Sequence, residues 1–146
     1  MLKKIYNEVT REWDTSVEEA LKSFIRLPAL SPDFDKKWEE NGVLLKALEE
    51  AKAWAEKQGI KGLRCEIIKD DGFTPCLFIE VDATSDKKFE RSVFFYGHLD
   101  KQPPNEGWDP DKSAWEPVIQ NGRLYGRGAV DDGANGVLCA VPGADA

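Results

Sequence analysis

No stretch of this sequence approaches the ~18 consecutive apolar residues that a helix needs to cross a bilayer. The opening segment MLKKIYNEVTREWD has no apolar run of the kind a secretory leader carries. These two absences predict a cytoplasmic chain with no membrane partner. Positive charge is also short: Lys plus Arg number 20 against 27 Asp plus Glu, a net charge of −7. A chain of that sign repels phosphate backbones, which argues against nucleic acid as its main partner. Cysteine is sparse and unpatterned. Cys65, Cys76 and Cys139 are odd in number and show no C-x-x-C spacing, which fits a reducing compartment better than a disulfide scaffold. There is no internal repeat and no low-complexity tract. Histidine occurs once, as His98.

What is present suits one ordinary globular domain. The 146 residues are 41% hydrophobic and 32% charged, with five Trp and seven Phe to fill a core. From about Lys3 to Leu27, the residues Ile5, Val9, Trp13, Val17, Ala20, Leu21, Phe24 and Ile25 recur at helical spacings, mostly on one face. Asp14-Thr15-Ser16 offers short side chains that could cap a restart within this helix, and Pro28 ends it. A second helix is expected from about Asp35 to Gln58, with Val43, Leu44, Ala47, Leu48, Ala51, Trp54 and Ala55 as its stripe. Gly59 follows as a left-handed cap.

The period then shortens to that of strands. LRCEIIK and CLFIEVDA are rich in branched and aromatic residues, and KDDGFTP separates them. SVFFYG is almost wholly apolar, which predicts a strand buried on both faces in the middle of a sheet. A long loop leads to PVIQ-NG-RLYG, where Asn-Gly is the strongest short hairpin signal because both residues tolerate positive φ. The expected architecture is α/β, with the two amino-terminal helices packed on a mixed sheet of at least three strands, SVFFYG central.

Two short motifs can carry chemistry. His98 directly follows SVFFYG, with Asp100 two residues on. A histidine so placed can offer one ring nitrogen to a metal while a carboxylate holds the other. Taken alone, His-x-Asp is far better explained as a strand-end histidine with an incidental neighbour. Asp131 and Asp132 follow Gly126-Arg127-Gly128. Adjacent carboxylates in a glycine-bearing turn are costly to gather without a cation or hydrogen-bond donors, yet, taken alone, a solvated acidic turn entering a helix explains the pair better.

The two motifs in sequence are more informative than either alone. YGHLDKQP, then Gly107-Trp108, Trp115 and Pro117, then NGRLYGRGAVDDG resembles the dinuclear zinc hydrolases of metallopeptidase family twenty. That family includes carnosinase-like dipeptidases, glutamate carboxypeptidase, acetylornithine deacetylase and succinyl-diaminopimelate desuccinylase. The likeness runs from the first helix to about Gly133 and is nearest in character to the dipeptidase branch. It implies two zinc ions, with cobalt or manganese as possible substitutes. His98 would be a terminal ligand to one ion and Asp131 would bridge the pair. Asp100 would be the catalytic-site carboxylate that orients His98, and the Asp131–Asp132 peptide would be cis. The implied reaction is hydrolysis of a peptide or amide bond in a small peptide or N-acyl amino acid. Many relatives carry Lys after the Asp pair; here Gly133 follows, as in a subset of them.

The sequence departs from that pattern in two ways. A pair of zinc ions needs about five or six protein ligands, and beyond His98 and Asp131 the family's further ligands and its Glu general base find no match in these 146 residues. The tail from about 134, ANGVLCAVPGADA, is small-residue-rich, and Pro142 interrupts it where relatives continue a helix. The expectation is therefore that residues 1–146 are the amino-terminal part of a zinc hydrolase catalytic domain, an incomplete zinc-exopeptidase-like unit truncated or frame-shifted before its site is finished. The alternative is a non-catalytic folding or interaction module of the same descent.

Overall fold

The computed structural model of the chain describes residues 2–83 and 92–134. It opens with helix α1, Leu2–Glu12, and helix α2, Glu18–Arg26, joined without a break by a π-helical turn at Trp13–Val17. The capped restart expected at Asp14-Thr15-Ser16 is not seen. Val17, ahead of α2, is itself helical and no side chain caps it. The polar side chains of the turn have other partners: Thr15 Oγ1 donates to the Arg11 carbonyl at 2.8 Å, and Ser16 Oγ accepts from Trp54 Nε1 at 2.9 Å. Helix α2 ends as Leu27 turns extended ahead of Pro28, because the proline ring disfavours a helical residue before it.

The second predicted helix is divided. One turn, α3, covers Trp38–Asn41, and α4 runs over Val43–Lys57. Gly42 between them adopts φ 68°, the left-handed region that stops a helix, and the Asn41 side chain accepts the freed Val43 N–H at 2.9 Å. Gly59, just past α4, is also left-handed as expected, with φ 67°. Helix α2 packs on α4. Val17, Leu21, Phe24, Ile25, Ala29, Leu44 and Ala47 form their shared core, joined by Ala129 from the far end of the chain.

The sheet differs from the sequence expectation. Strands β1, Leu63–Ile68, and β2, Cys76–Val81, pair antiparallel with Cys65 opposite Ile79 and Ile67 opposite Leu77. Their residues largely alternate between exposed and half-buried, and α4 covers them. Strands β3, Val118–Gln120, and β4, Arg123–Tyr125, form a second antiparallel hairpin, turned by Asn121 at φ 52° and Gly122 at φ 71° as the Asn-Gly signal predicts. Among the described residues there are thus two separate two-stranded sheets rather than one mixed sheet. Helix α4 lies on β1 and β2, while Leu124 of β4 packs against the shared α2–α4 core.

The central strand expected at SVFFYG is not formed. Residues 92–97 are in no strand, and Val93, Phe94, Phe95 and Tyr96 are 80, 80, 67 and 77% exposed. Hydropathy can favour burial, but a strand needs a neighbouring backbone to exchange hydrogen bonds and a layer to cover its faces. The described residues place neither beside this run. The chain class therefore stays mixed helix and sheet, while the three-stranded architecture is corrected. The atypical tail expected from about 134 lies, past its first residue, outside the described residues. No helix among those described is long and apolar enough to cross a membrane.

Candidate functional site

The site is built on the carboxyl end of α2. The chain has left the helix by Leu27, and Leu30 forms a single parallel bridge with Lys101. That bridge anchors the segment after SVFFYG: Lys101 N–H donates to the Ala29 carbonyl at 2.8 Å, and Ser31 N–H donates to the Lys101 carbonyl at 3.0 Å. His98, Leu99 and Asp100 are half-buried, in contrast with the exposed residues just before them.

The GRGAVDDG turn reaches the same place from the other side. Arg127 N–H donates to the Ala114 carbonyl at 2.7 Å and Gly133 N–H to the Gly128 carbonyl at 3.0 Å, folding the turn back on itself. Gly128 has φ 83° and lies so close to the helix that a Cβ there would sit 2.9 Å from Lys101 Cε and 3.1 Å from the Phe24 ring. A side chain at position 128 would hold the turn away from α2. Ala129, next along, is buried in the α2–α4 core.

The two motifs converge although His98 and Asp131 stand 33 positions apart in sequence. His98 Nε2 is 3.3 Å from Asp131 Oδ1. His98 Nδ1 is 3.1 Å from Asp100 Oδ1 and 3.1 Å from the Asp100 carbonyl oxygen. His98 N–H donates to Asp132 Oδ2 at 3.1 Å. The Asp131–Asp132 peptide is cis. With Nδ1–H given to Asp100, the neutral imidazole keeps its lone pair on Nε2, on the side of Asp131. Burial disfavours the imidazolium, but the Asp100 carbonyl and the carboxylates of Asp100, Asp132 and Asp131 favour it and hold the His98 pKa above its ordinary 6.5.

An imidazole nitrogen and a carboxylate oxygen at this separation have the donor chemistry of a zinc site. They are two donors, and a catalytic zinc takes three from protein. Among the described residues no group of three or more His, Cys, Asp or Glu side chains could hold a metal ion. The residues present therefore fit part of a metal site.

Sequence reasoning missed Lys101. It is 2% exposed, the one buried charged residue among those described. Its Nζ donates to the carbonyls of Phe24, Ile25 and Leu27, the last two at 3.3 and 2.7 Å, and stands 3.8 Å from the centre of the Phe24 ring. Burial pushes its pKa down to about 7, against a smaller upward pull from Glu50. Nothing in the letters K-Q-P-P signals this, because a lysine in a polar loop normally reads as solvated.

Residues 94–141 match peptidase family M20/M25/M40. The matched stretch holds both motifs and is similar to that family over about a third of the chain. Among curated proteins it is similar to succinyl-diaminopimelate desuccinylase of Gluconobacter oxydans, 51% identical over 50 residues, which is 34% of this chain and 12% of that protein. The desuccinylase of Acidiphilium cryptum is 57% identical over 37 residues, 25% of this chain and 9% of its own. A Bacillus subtilis protein bearing the provisional name dipeptidase YtjP is 51% identical over 35 residues, 24% of this chain and 7% of its own. The matched stretch spans about a tenth of the length of these relatives.

Proposed function

We propose that residues 1–146 are the amino-terminal part of the catalytic domain of a zinc-dependent hydrolase that cleaves a peptide or amide bond in a small substrate, such as a dipeptide or an N-acyl amino acid. The observation that carries this reading is the approach of His98 Nε2 to Asp131 Oδ1 at 3.3 Å, with Nδ1 of the same ring held at 3.1 Å by Asp100. In this reading His98 and Asp131 supply two of the donors to a two-zinc site. Asp100 fixes the tautomer and orientation of His98, and Asp132 holds the His98 backbone. Bound zinc would supply Lewis-acid polarisation of the scissile carbonyl and an activated water. The remaining donors and the general base belong to parts of the family domain that these residues do not contain, so the 146-residue chain alone is expected to bind zinc weakly and to leave dipeptides uncleaved.

The test is titration of the chain with Co²⁺ or Zn²⁺, read by cobalt absorbance and by calorimetry, beside a dipeptide hydrolysis assay. Weak binding that disappears in His98→Ala and in Asp131→Ala, without turnover, is the expected result. Binding unaffected by either substitution would overturn the assignment of both ligands. Turnover abolished by His98→Ala would show that the site is complete after all. The same assays address the second reading, a non-catalytic folding or interaction module, which the small donor set favours. That reading requires neither metal binding at His98 nor turnover.

A further inference from the structure

A lysine amine is expensive to bury, and in the core lysine is the wrong residue unless its nitrogen is used. The last four carbonyls of a helix lack partners within it. Here three carbonyls at the end of α2 converge on one side-chain nitrogen that arrives from a loop more than seventy residues later. Lys101 is bound to the 24–31 region at three levels. Its Nζ takes the Phe24, Ile25 and Leu27 carbonyls, its N–H takes the Ala29 carbonyl, and its own carbonyl takes Ser31 N–H. The stem of the same side chain is the surface against which Gly128 rests, since a Cβ at 128 would lie 2.9 Å from Lys101 Cε. One residue therefore adjoins Asp100 in sequence, closes α2 with its nitrogen, and forms the wall for the turn that carries Asp131.

We propose that Lys101 is the positioning residue of the site: its nitrogen on the α2 carbonyls and its stem against Gly128 together set the separation between His98 and Asp131. The metal-site consequence rests on the function proposed above; the positioning itself does not. The downward displacement of its pKa to about 7 by burial agrees with a residue kept for geometry at a cost. A methionine or leucine would fill the same space without desolvating an amine, but would leave the three carbonyls without this donor. It would also free the loop to settle at a different height on the helix.

Because His98 is the only histidine, long-range ¹H–¹⁵N spectra of the full chain report its ring without ambiguity. The test compares wild type with Lys101→Met, which keeps the stem length and removes the donors. Far-UV circular dichroism follows the fold and zinc calorimetry follows the site. The expected result is retained helicity, His98 ring shifts that move to the averaged tautomer of a free imidazole, and zinc affinity lowered about tenfold, the lower range for lost supporting contacts at metal ligands. Unchanged ring shifts in a folded Lys101→Met would overturn the proposal. If Lys101→Met does not fold, Gly128→Ala is read by the same spectra. It leaves the lysine donors in place and pushes the turn off the stem, so the His98 ring should again lose its ordered tautomer; an unchanged ring sinks the wall role of Lys101. Wild type that binds no zinc at all removes the metal reading, and the ring spectra then decide the role of Lys101 by themselves.

Discussion

Residues 93–96 and residue 101 stand a few positions apart and reverse the usual rule of burial. Val93, Phe94, Phe95 and Tyr96 are between 67 and 80% exposed, while the charged Lys101 is 2% exposed. Hydropathy assigns them the other way round. The aromatic run has no backbone neighbour and no covering layer among the described residues. The lysine meets three carbonyls, an aromatic face and the backbone of residues 29–31. Burial in this chain follows the supply of partners, and a lysine can outrank three aromatics where a helix end provides acceptors for its amine.

The widest test of this contrast is the ring beneath the lysine. Phe24→Ala should cost about 3–5 kcal/mol in chemical unfolding, since the Phe24 side chain lies in the core, faces Lys101 Nζ at 3.8 Å and lines the Gly128 and Gly133 turn. A loss below about 1 kcal/mol would mean that the end of α2 is not the anchor of the site. Next in size is Gly133→Ala. An added Cβ would meet the Gly128 carbonyl at 2.4 Å and the Phe24 ring at 2.5 Å, so a loss of about 1–3 kcal/mol is expected. Wild-type stability in that variant would show that the turn sits away from the helix.

A smaller effect is expected at His98. Its pKa is raised above 6.5, so the folded state holds its proton more tightly than the unfolded one. That contribution to stability is fully present below 6.5 and is lost as pH rises through the folded value. A proton NMR titration of the single histidine should give a midpoint above 6.5, and Asp100→Asn should lower it. A wild-type midpoint at or below 6.5 would contradict the observed carboxylate surround. Smallest of all in stability is the double change Phe94→Ser, Phe95→Ser. Side chains this exposed should shift unfolding by no more than ~0.5 kcal/mol. The change should also reduce binding of a hydrophobic dye, because exposed apolar patches favour association. A large destabilisation would mean that the run is packed in solution.

Much of the local structure was legible from the sequence. The helical stripes, the strand segments and the Asn-Gly turn depend on patterns within a few residues, and periodicity records them. The meeting of the His98 and Asp131 segments was implied by the family resemblance of the two motifs taken together, not by periodicity. What escaped depended on distant partners. SVFFYG reads as a core strand whether or not another strand is at hand, and Lys101 reads as solvent-facing because its three acceptors lie in an element more than seventy residues earlier. Gly42, within what reads as a single helix, showed its role only through its left-handed φ of 68°.

The π-helical turn at Trp13–Val17 also accounts for a spelling in the first helix. Ile5, Val9, Trp13 and Val17 recur every fourth residue, but a regular helix completes a turn in about 3.6. Each step of four overshoots by roughly 40°, so three steps would carry the stripe about 120° around the rod. A turn with i→i+5 bonding takes in one extra residue, worth about 100°, and returns nearly all of that drift. The turn thus acts as a vernier between two scales, keeping Ile5 and Val9 in phase with Leu21 and Ile25. Loss of a single codon anywhere in 13–17 would leave composition and hydropathy almost unchanged, yet turn the amino-terminal stripe about a quarter of the way around its axis.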